Sequence, residues 1–369
     1  MSSSRPLRAS MTRMTGASRA ALAIGALSAL AVARFWADLH LPVLVDEPPI
    51  TEAIEHVLAG RSPYEVVRYL YPPPPAILGA ALAARWGLGA AVIAMRTANV
   101  VGVAAAAWAA LAWGPWRGRT RAAIAAGMIL FAPPIASALE AGNLSGVSCG
   151  LALVALACVE QGPLACGILL GTSVALKPSA IGVLAVLIAH PRFRRAGALA
   201  AVTALAFLAL GPRQLADMLA RGSARYGGVT TGSLVHALEC FGVRVPLALP
   251  AVVIAGACAW GYTRRPPMSE LALVACLASV LSLPLVWTHT LLLALPACAA
   301  AAARAIGTHC DASRRALHTV CVFGGIEIVF GAGIWRSFTE LDRGLQGVLT
   351  LVPLAALTAL TRYGMHSRP

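Results

Sequence analysis

Long apolar stretches alternate with short polar segments along most of the chain. Each stretch approaches the roughly 20 residues that an α-helix needs to cross the hydrocarbon core of a bilayer. The pattern therefore predicts an all-α, polytopic integral membrane protein with about 12 transmembrane helices. The predicted spans are residues 20–37, 88–113, 122–139, 144–160, 163–177, 178–190, 196–211, 245–262, 268–286, 288–303, 316–334 and 344–361.

Two segments between the first and second predicted spans have a different pattern. Residues 71–86, "YPPPPAILGAALAARW", are short and rich in proline, so we expect an interfacial or re-entrant helix rather than a span. Residues 50–59 are predicted to form a helix that lies on the membrane surface, because their apolar side chains share one helical stripe. That stripe contains Ile50, Ala53, Ile54, Val57 and Leu58.

Composition supports a single membrane domain. The chain is 59% hydrophobic and 12% charged, with a mean hydropathy of +0.76, values that exclude a water-soluble domain. The connections between spans are too short for a separate soluble domain, so residues 20–369 are predicted to form one unit. Most of the nine cysteines lie in apolar runs without metal-ligand spacing and are interpreted as packing residues.

The arginines predict an orientation. Most of them fall on one set of connections, whereas most acidic residues fall on the other set, so the positive-inside rule places the N-terminus in the cytoplasm. Residues 1–19 then form a basic cytoplasmic tail, and two long loops, 38–87 and 212–244, face the periplasm or exterior. The net charge of +14 is explained by this topology, and no nucleic-acid partner is expected.

Lys177 is the only lysine of the chain, although basic residues are otherwise always arginine. It lies at the predicted outer end of the fifth span, where Pro178 should break the helix. A lysine at a helix end can simply extend its ammonium group to the interface. However, arginine would serve that purpose equally well, and a compact ammonium suits a single phosphate group. Lys177 is therefore a candidate for binding the phosphate of a lipid-linked substrate.

Five short motifs follow one another between about residues 40 and 300. They are "DEPPITEAIEHVLAGRSPY", "YPPPPAIL", "LEAGNLSG", "ALKPSA" and "LSLPLVWTHTLLL". This ordered set resembles the polyprenol-phosphate-mannose-dependent mannosyltransferases of glycosyltransferase family 87, in the GT-C class. Two departures are visible: the family's Gly-Gln-x-Asn is reduced to Gly142-Asn143, and Leu283 stands where a proline is usual.

The resemblance implies a GT-C fold with an active site at the outer face of the membrane. There a mannosyl group would move, with inversion, from a polyprenyl-phosphate donor to a hydroxyl of a lipid or glycan acceptor. The chain has no Gly-rich nucleotide loop and no Walker-type lysine motif, so a sugar-nucleotide or ATP site is not expected. No cofactor and no metal ion are predicted, because family members with such donors generally need none.

The candidate general base is Asp46, just beyond the first span and within the first motif. A solvated loop carboxylate is the ordinary reading of such a residue. Asp38 is the rival base, since it lies closer to the bilayer with a histidine two residues further on. Glu47 is expected to assist rather than to act as the base.

The remaining candidates would bind substrate. His289 and Trp287 match the family's Trp-x-His pair, although both could instead be interfacial residues. The other candidates are polar or aromatic side chains near the predicted outer boundary or inside an apolar run: Asn143, Tyr64, Tyr71 and Arg96. Capping of the turn between two spans would explain Asn143 equally well, and for Tyr64 and Tyr71 a position in the interface is slightly favoured over stacking on a sugar. Arg96 is costly inside a bilayer and indicates a substrate groove or an ion pair.

Three alternatives remain open on the sequence. A transporter or lipid flippase would also have many spans and buried charges, but no internal repeat is visible. A GT-C enzyme could transfer another sugar, such as arabinose or glucose. An inactive homologue would account for the two departures from the family motifs.

Overall fold

A computed structural model describes residues 16–40, 44–221, 233–243, 248–283, 286–307, 311–335 and 342–365. Residues 1–15 of the predicted basic tail lie outside these ranges. The described residues form helices and no strands. The helices are α1 (Gly16–Leu39), α2 (Glu47–Leu58), α3 (Pro73–Trp86), α4 (Leu88–Ala110), α5 (Gly118–Phe131), α6 (Pro133–Ala141), α7 (Ser145–Cys158), α8 (Pro163–Leu176), α9 (Ile181–Ala189), α10 (Arg194–Leu208), α11 (Pro212–Arg221), α12 (Leu234–Cys240), α13 (Leu249–Arg264), α14 (Met268–Ser282), α15 (Leu295–Gly307), α16 (Ala312–Trp335) and α17 (Arg343–Met365).

Several of these helices could cross a membrane. Among the described residues, three helical segments are long and apolar enough: α4, Thr288–Gly307 and α17. Two further spans result if each bent pair counts as one: α5 with α6, bent by 59°, and α10 with α11, bent by 97°. Other apolar helices, such as the 14-residue α7 and α8, extend only about 21 Å, less than a bilayer core. The structure thus supports three to five spans, and the count of 12 stays a prediction.

The predicted break beside Lys177 is confirmed. Helix α8 ends at Leu176, Lys177 is extended, and a 3₁₀ turn over Pro178–Ala180 leads into α9. Proline causes this break because it disfavours helical geometry in the preceding residue and cannot donate a backbone hydrogen bond. The lysine therefore stands at a corner between two apolar helices.

The segment between the first two predicted spans folds onto itself. The predicted helix over 50–59 is confirmed as α2, and 71–86 contains α3, whose first turn tolerates three prolines because its amides need no helical partner. However, Ile50, Ala53 and Ile54 of the α2 stripe are buried in a cluster with α3 and nearby tyrosines. Other parts of the protein therefore cover these three residues, whereas Leu58 of the same stripe is 47% exposed, so a position on the membrane surface stays a prediction.

Close packing joins α4 to α7. A Cβ atom added at Gly102 of α4 would overlap the backbone at Gly146 and Val147 of α7. One added at Gly150 would overlap the backbone of Gly102. Glycines at this spacing let two membrane helices approach until their backbones touch. This contact sets where the N-terminal end of α7 lies relative to α4.

We predict that Gly150→Ala lowers the melting temperature of the detergent-purified protein. Its methyl group would push α7 away from α4, and overpacking of this kind costs about 1–3 kcal/mol of unfolding free energy. Gly127→Ala in α5 is the matched control, because an added Cβ there meets no atom within 4 Å. Equal melting temperatures for the two variants would contradict the close contact.

Candidate functional site

A short backbone pairing brings Asp46 to the motif that begins at Gly142. The Asp46 amide donates to the Ala141 carbonyl at 2.7 Å. Gly142 then takes a left-handed conformation, with φ at 65°, and a side chain there would overlap Leu44. Glycine is required at this position for both reasons. The turn delivers Asn143 to the side chain of Asp46.

Asn143 lies at the centre of a polar cluster. Its side chain is fully buried, and its Nδ2 lies 3.0 Å from Oδ2 of Asp46. The same Nδ2 lies 3.0 Å from each ring nitrogen of His289. Its Oδ1 accepts the amide of Ser145 at 2.8 Å, which supports the start of α7. One amide side chain therefore contacts both Asp46 and His289, which are far apart in the sequence.

His289 is supplied by a different part of the chain. It lies in the 3₁₀ segment Thr288–Ala294, which packs against α6 and α7, and it is buried. The ring of Trp287 meets it edge-on, with centroids 5.4 Å apart and planes at 69°. Trp287 itself is partly exposed. This pairing limits how the imidazole can turn while keeping it beside Asn143.

Lys177 joins the same cluster through Ser145. Its Nζ donates to the Ser145 hydroxyl at 2.6 Å and lies 5.4 Å from the ring centroid of Tyr71. Ser145 is the first residue of α7, so the positive end of that helix dipole lies close to the ammonium group. Ammonium and helix start together create a positive region that favours an anion. Ser145 was not among the predicted site residues, although it lies two residues after Asn143 in the same motif.

Tyr71 lies near both Lys177 and Asp46. Burial raises the pKa of its phenol, and the nearby charge of Asp46 raises it further, so Tyr71 remains neutral. The Tyr64 hydroxyl donates to the Tyr71 carbonyl at 2.9 Å, and Tyr64 is only 1% exposed. Such burial leaves no face of Tyr64 open to a sugar. Tyr69, which the sequence analysis did not single out, is also buried and donates to the Pro72 carbonyl.

Glu47 and Arg96 form a buried ion pair with each other. Nε of Arg96 lies 2.6 Å from Oε2 of Glu47, and Nη2 lies 2.9 Å from Oε1, with both side chains about 9% exposed. This contact joins the first residue of α2 to the middle of α4. The structure therefore supports the ion-pair reading of Arg96, and direct substrate contacts by either residue stay a prediction.

The structure leaves the rival base untested. Asp38 belongs to the last turn of α1, but its side chain lies outside the described part of the structure. Asp46, in contrast, is partly exposed at the start of α2 and hydrogen-bonded within the cluster. Of the nominated residues, the structure brings together Asp46, Asn143, Lys177, His289 and Tyr71.

We predict that Arg96→Met strongly destabilises the protein, because it leaves Glu47 as an uncompensated buried charge. Removing one partner of such a pair typically costs about 3–5 kcal/mol. The double variant Glu47→Leu with Arg96→Met should recover most of this loss, since two apolar side chains need no counterion. Melting temperatures in detergent measure both effects. A double variant as unstable as Arg96→Met would contradict the ion-pair explanation.

One of three comparisons with known proteins identifies a family for this chain. A model of glycosyltransferase family 87 matches residues 69–284, which is more than half of the chain. The matched region includes Tyr71, Asn143 and Lys177, whereas Asp46 and His289 lie outside it. No curated protein and no solved structure matches the chain. The chain belongs to glycosyltransferase family 87.

Proposed function

We propose that this membrane glycosyltransferase moves a mannosyl residue from a polyprenyl-phosphate donor to an acceptor hydroxyl at the outer face of the membrane, with inversion. The observation that carries this proposal is the connected cluster in which Asp46, His289 and Lys177 meet around Asn143 and Ser145. This connection between a candidate base and a candidate phosphate-binding cation supports one shared site. Mannose and the polyprenyl phosphate rest on the motif resemblance.

The cluster is suited to a single displacement at the anomeric carbon. The acceptor oxygen would attack that carbon while Asp46 removes the hydroxyl proton, and the bond to the phosphate oxygen would break with its electrons. One such displacement inverts the anomeric configuration. The products are the new glycoside, the polyprenyl phosphate and a protonated Asp46, which returns its proton to water.

Asn143 and His289 would position the base. The Asn143 amide holds Oδ2 of Asp46, which leaves Oδ1 for the acceptor proton. His289 restrains the same amide from the other side. Because Asn143 is fully buried, its role is to orient the carboxylate rather than to bind sugar hydroxyls.

Lys177 would neutralise the charge that develops on the leaving phosphate. It is partly exposed at a break between helices, so a lipid headgroup can reach it. The start of α7 adds backbone amides to the same positive region. Fixed positive groups aimed at a developing negative charge stabilise the transition state more than the ground state.

The transporter alternative has little structural support. It drew on two charges within apolar runs, Arg96 and Glu327, and the structure pairs Arg96 with Glu47. Another sugar is a closer alternative, and a panel of polyprenyl-phosphate donors that carry mannose, glucose or arabinose would distinguish them. Transfer from only the arabinose donor would correct the sugar while keeping the reaction type.

We predict that Asp46→Asn lowers transfer from polyprenyl-phosphate-mannose by about 10²–10⁴-fold, since the amide keeps the shape but removes the base. The assay follows labelled sugar into a new product in reconstituted membranes. Glu55→Gln, at an exposed position of α2, is the matched control and should retain activity. An active Asp46→Asn together with an inactive Asp38→Asn would move the base to Asp38.

We predict that Lys177→Met lowers turnover or raises the donor KM by about 10²–10³-fold, because it removes the charge opposite the phosphate. Lys177→Arg should recover activity only partly, since a guanidinium is too broad for the tight contact with Ser145. Initial rates at varied donor concentration separate the two parameters. Full activity of Lys177→Met would reduce this lysine to an interfacial anchor.

A further inference from the structure

An open cleft lies beside the start of α2. Its volume is about 380 Å³, and its lining comes from two stretches of the chain: residues of the stretch from Val45 to Glu52, with neither Asp46 nor Glu47 among them, and the loop over residues 65–68. Val45 and Pro48, which flank Asp46 and Glu47 in sequence, both line the cleft. Its far wall consists of Glu65, Val66, Val67 and Arg68.

The geometry points to this cleft as the binding site for a neutral, hydroxyl-rich acceptor, an inference that rests on the proposed function. Glu52, Glu65 and Arg68 are its charged lining residues, so its formal charge is slightly negative. Carboxylates accept hydrogen bonds from sugar hydroxyls, and a guanidinium donates to their oxygens. The same charges disfavour an anionic headgroup. A glycan, free or lipid-linked, fits this chemistry.

Two of the charged groups are available for a ligand. Within the described ranges, neither Glu52 nor Arg68 has a hydrogen-bond or ion-pair partner, although both line one cleft and carry opposite charges. Glu65, in contrast, accepts the Ser62 amide and lies near His56, so it is held in place. The cleft therefore combines one fixed carboxylate, Glu65, with two side chains, Glu52 and Arg68, that can form hydrogen bonds to a polar ligand.

Apolar surface completes the cleft. Val45 and Val67 are 79% and 83% exposed, and each could pack against the C–H face of a sugar ring. None of the cleft residues is a contact of Lys177, which is bound by Ser145 and lies near Tyr71. Acceptor and phosphate would thus occupy separate sites. The cleft includes Val45, the residue before Asp46, and the Lys177 site is connected to Asp46 through Ser145 and Asn143, so both substrates could approach the base.

The test measures how transfer depends on acceptor concentration in Glu52→Gln and Arg68→Gln. Two acceptor preparations are titrated separately: the organic extract of the cell envelope and its water-soluble glycan fraction. We expect each variant to raise the half-saturating concentration about tenfold, the loss expected for one hydrogen bond to a charged group. The donor KM and the maximal rate should stay unchanged. The preparation that supports transfer shows whether the acceptor is lipid-linked.

Controls separate this inference from the proposed function. Glu55→Gln and Arg85→Gln remove exposed charges outside the cleft and should not change the acceptor dependence. Val67→Trp, at a highly exposed position that tolerates a large side chain, should obstruct the cleft and raise the half-saturating concentration too. If wild-type protein transfers sugar and all three cleft variants match it, the acceptor site is overturned alone. If wild-type protein transfers sugar to neither preparation, the proposed function fails and this inference with it.

Discussion

The buried ion pair between Glu47 and Arg96 determines how the polar part of this protein meets its apolar part. A single arginine within a membrane helix costs roughly 2.5–3.5 kcal/mol on insertion scales, so it needs a partner. Glu47 supplies that partner as the first residue of α2. Because Asp46 immediately precedes it, the contact that compensates the arginine also fixes the candidate base. The stability of this contact and the position of the candidate base therefore depend on the same pair of side chains.

Backbone contacts between small residues continue this arrangement. Gly102 of α4 touches the backbone of α7, so the helix that carries Arg96 also sets the position of Ser145 and Asn143. Gly142 provides the left-handed turn that brings Asn143 to Asp46. Glycine serves two different purposes here: it allows close approach in the helix pair and an otherwise strained backbone in the turn. Both purposes position polar groups within an apolar bundle.

The polar cluster divides into groups that would react and groups that would hold them. Asp46 and Lys177 are partly exposed, whereas Asn143 and Ser145 are fully buried. A group must be exposed to contact a substrate. A buried hydrogen bond, in contrast, is strengthened by the low local dielectric and can hold a neighbouring group in one orientation. The burial of Asn143 and its contact with Asp46 support the proposal that it holds the carboxylate in place. Tyr64 similarly supports Tyr71, because its hydroxyl donates a hydrogen bond to the Tyr71 carbonyl.

Local chemistry along the chain determined several features of this protein by itself. Apolar composition implies the membrane, the stripe at Ile50, Ala53 and Ile54 implies α2, and Pro178 implies the break after α8, because each depends on neighbouring residues alone. Only the tertiary structure decided what covers that stripe, since an apolar surface is equally suited to lipid or to protein. It also decided that Arg96 pairs with Glu47 and that His289 reaches Asn143. These contacts join residues far apart in the chain, and hydrophobic patterns carry no information about which distant helices become neighbours.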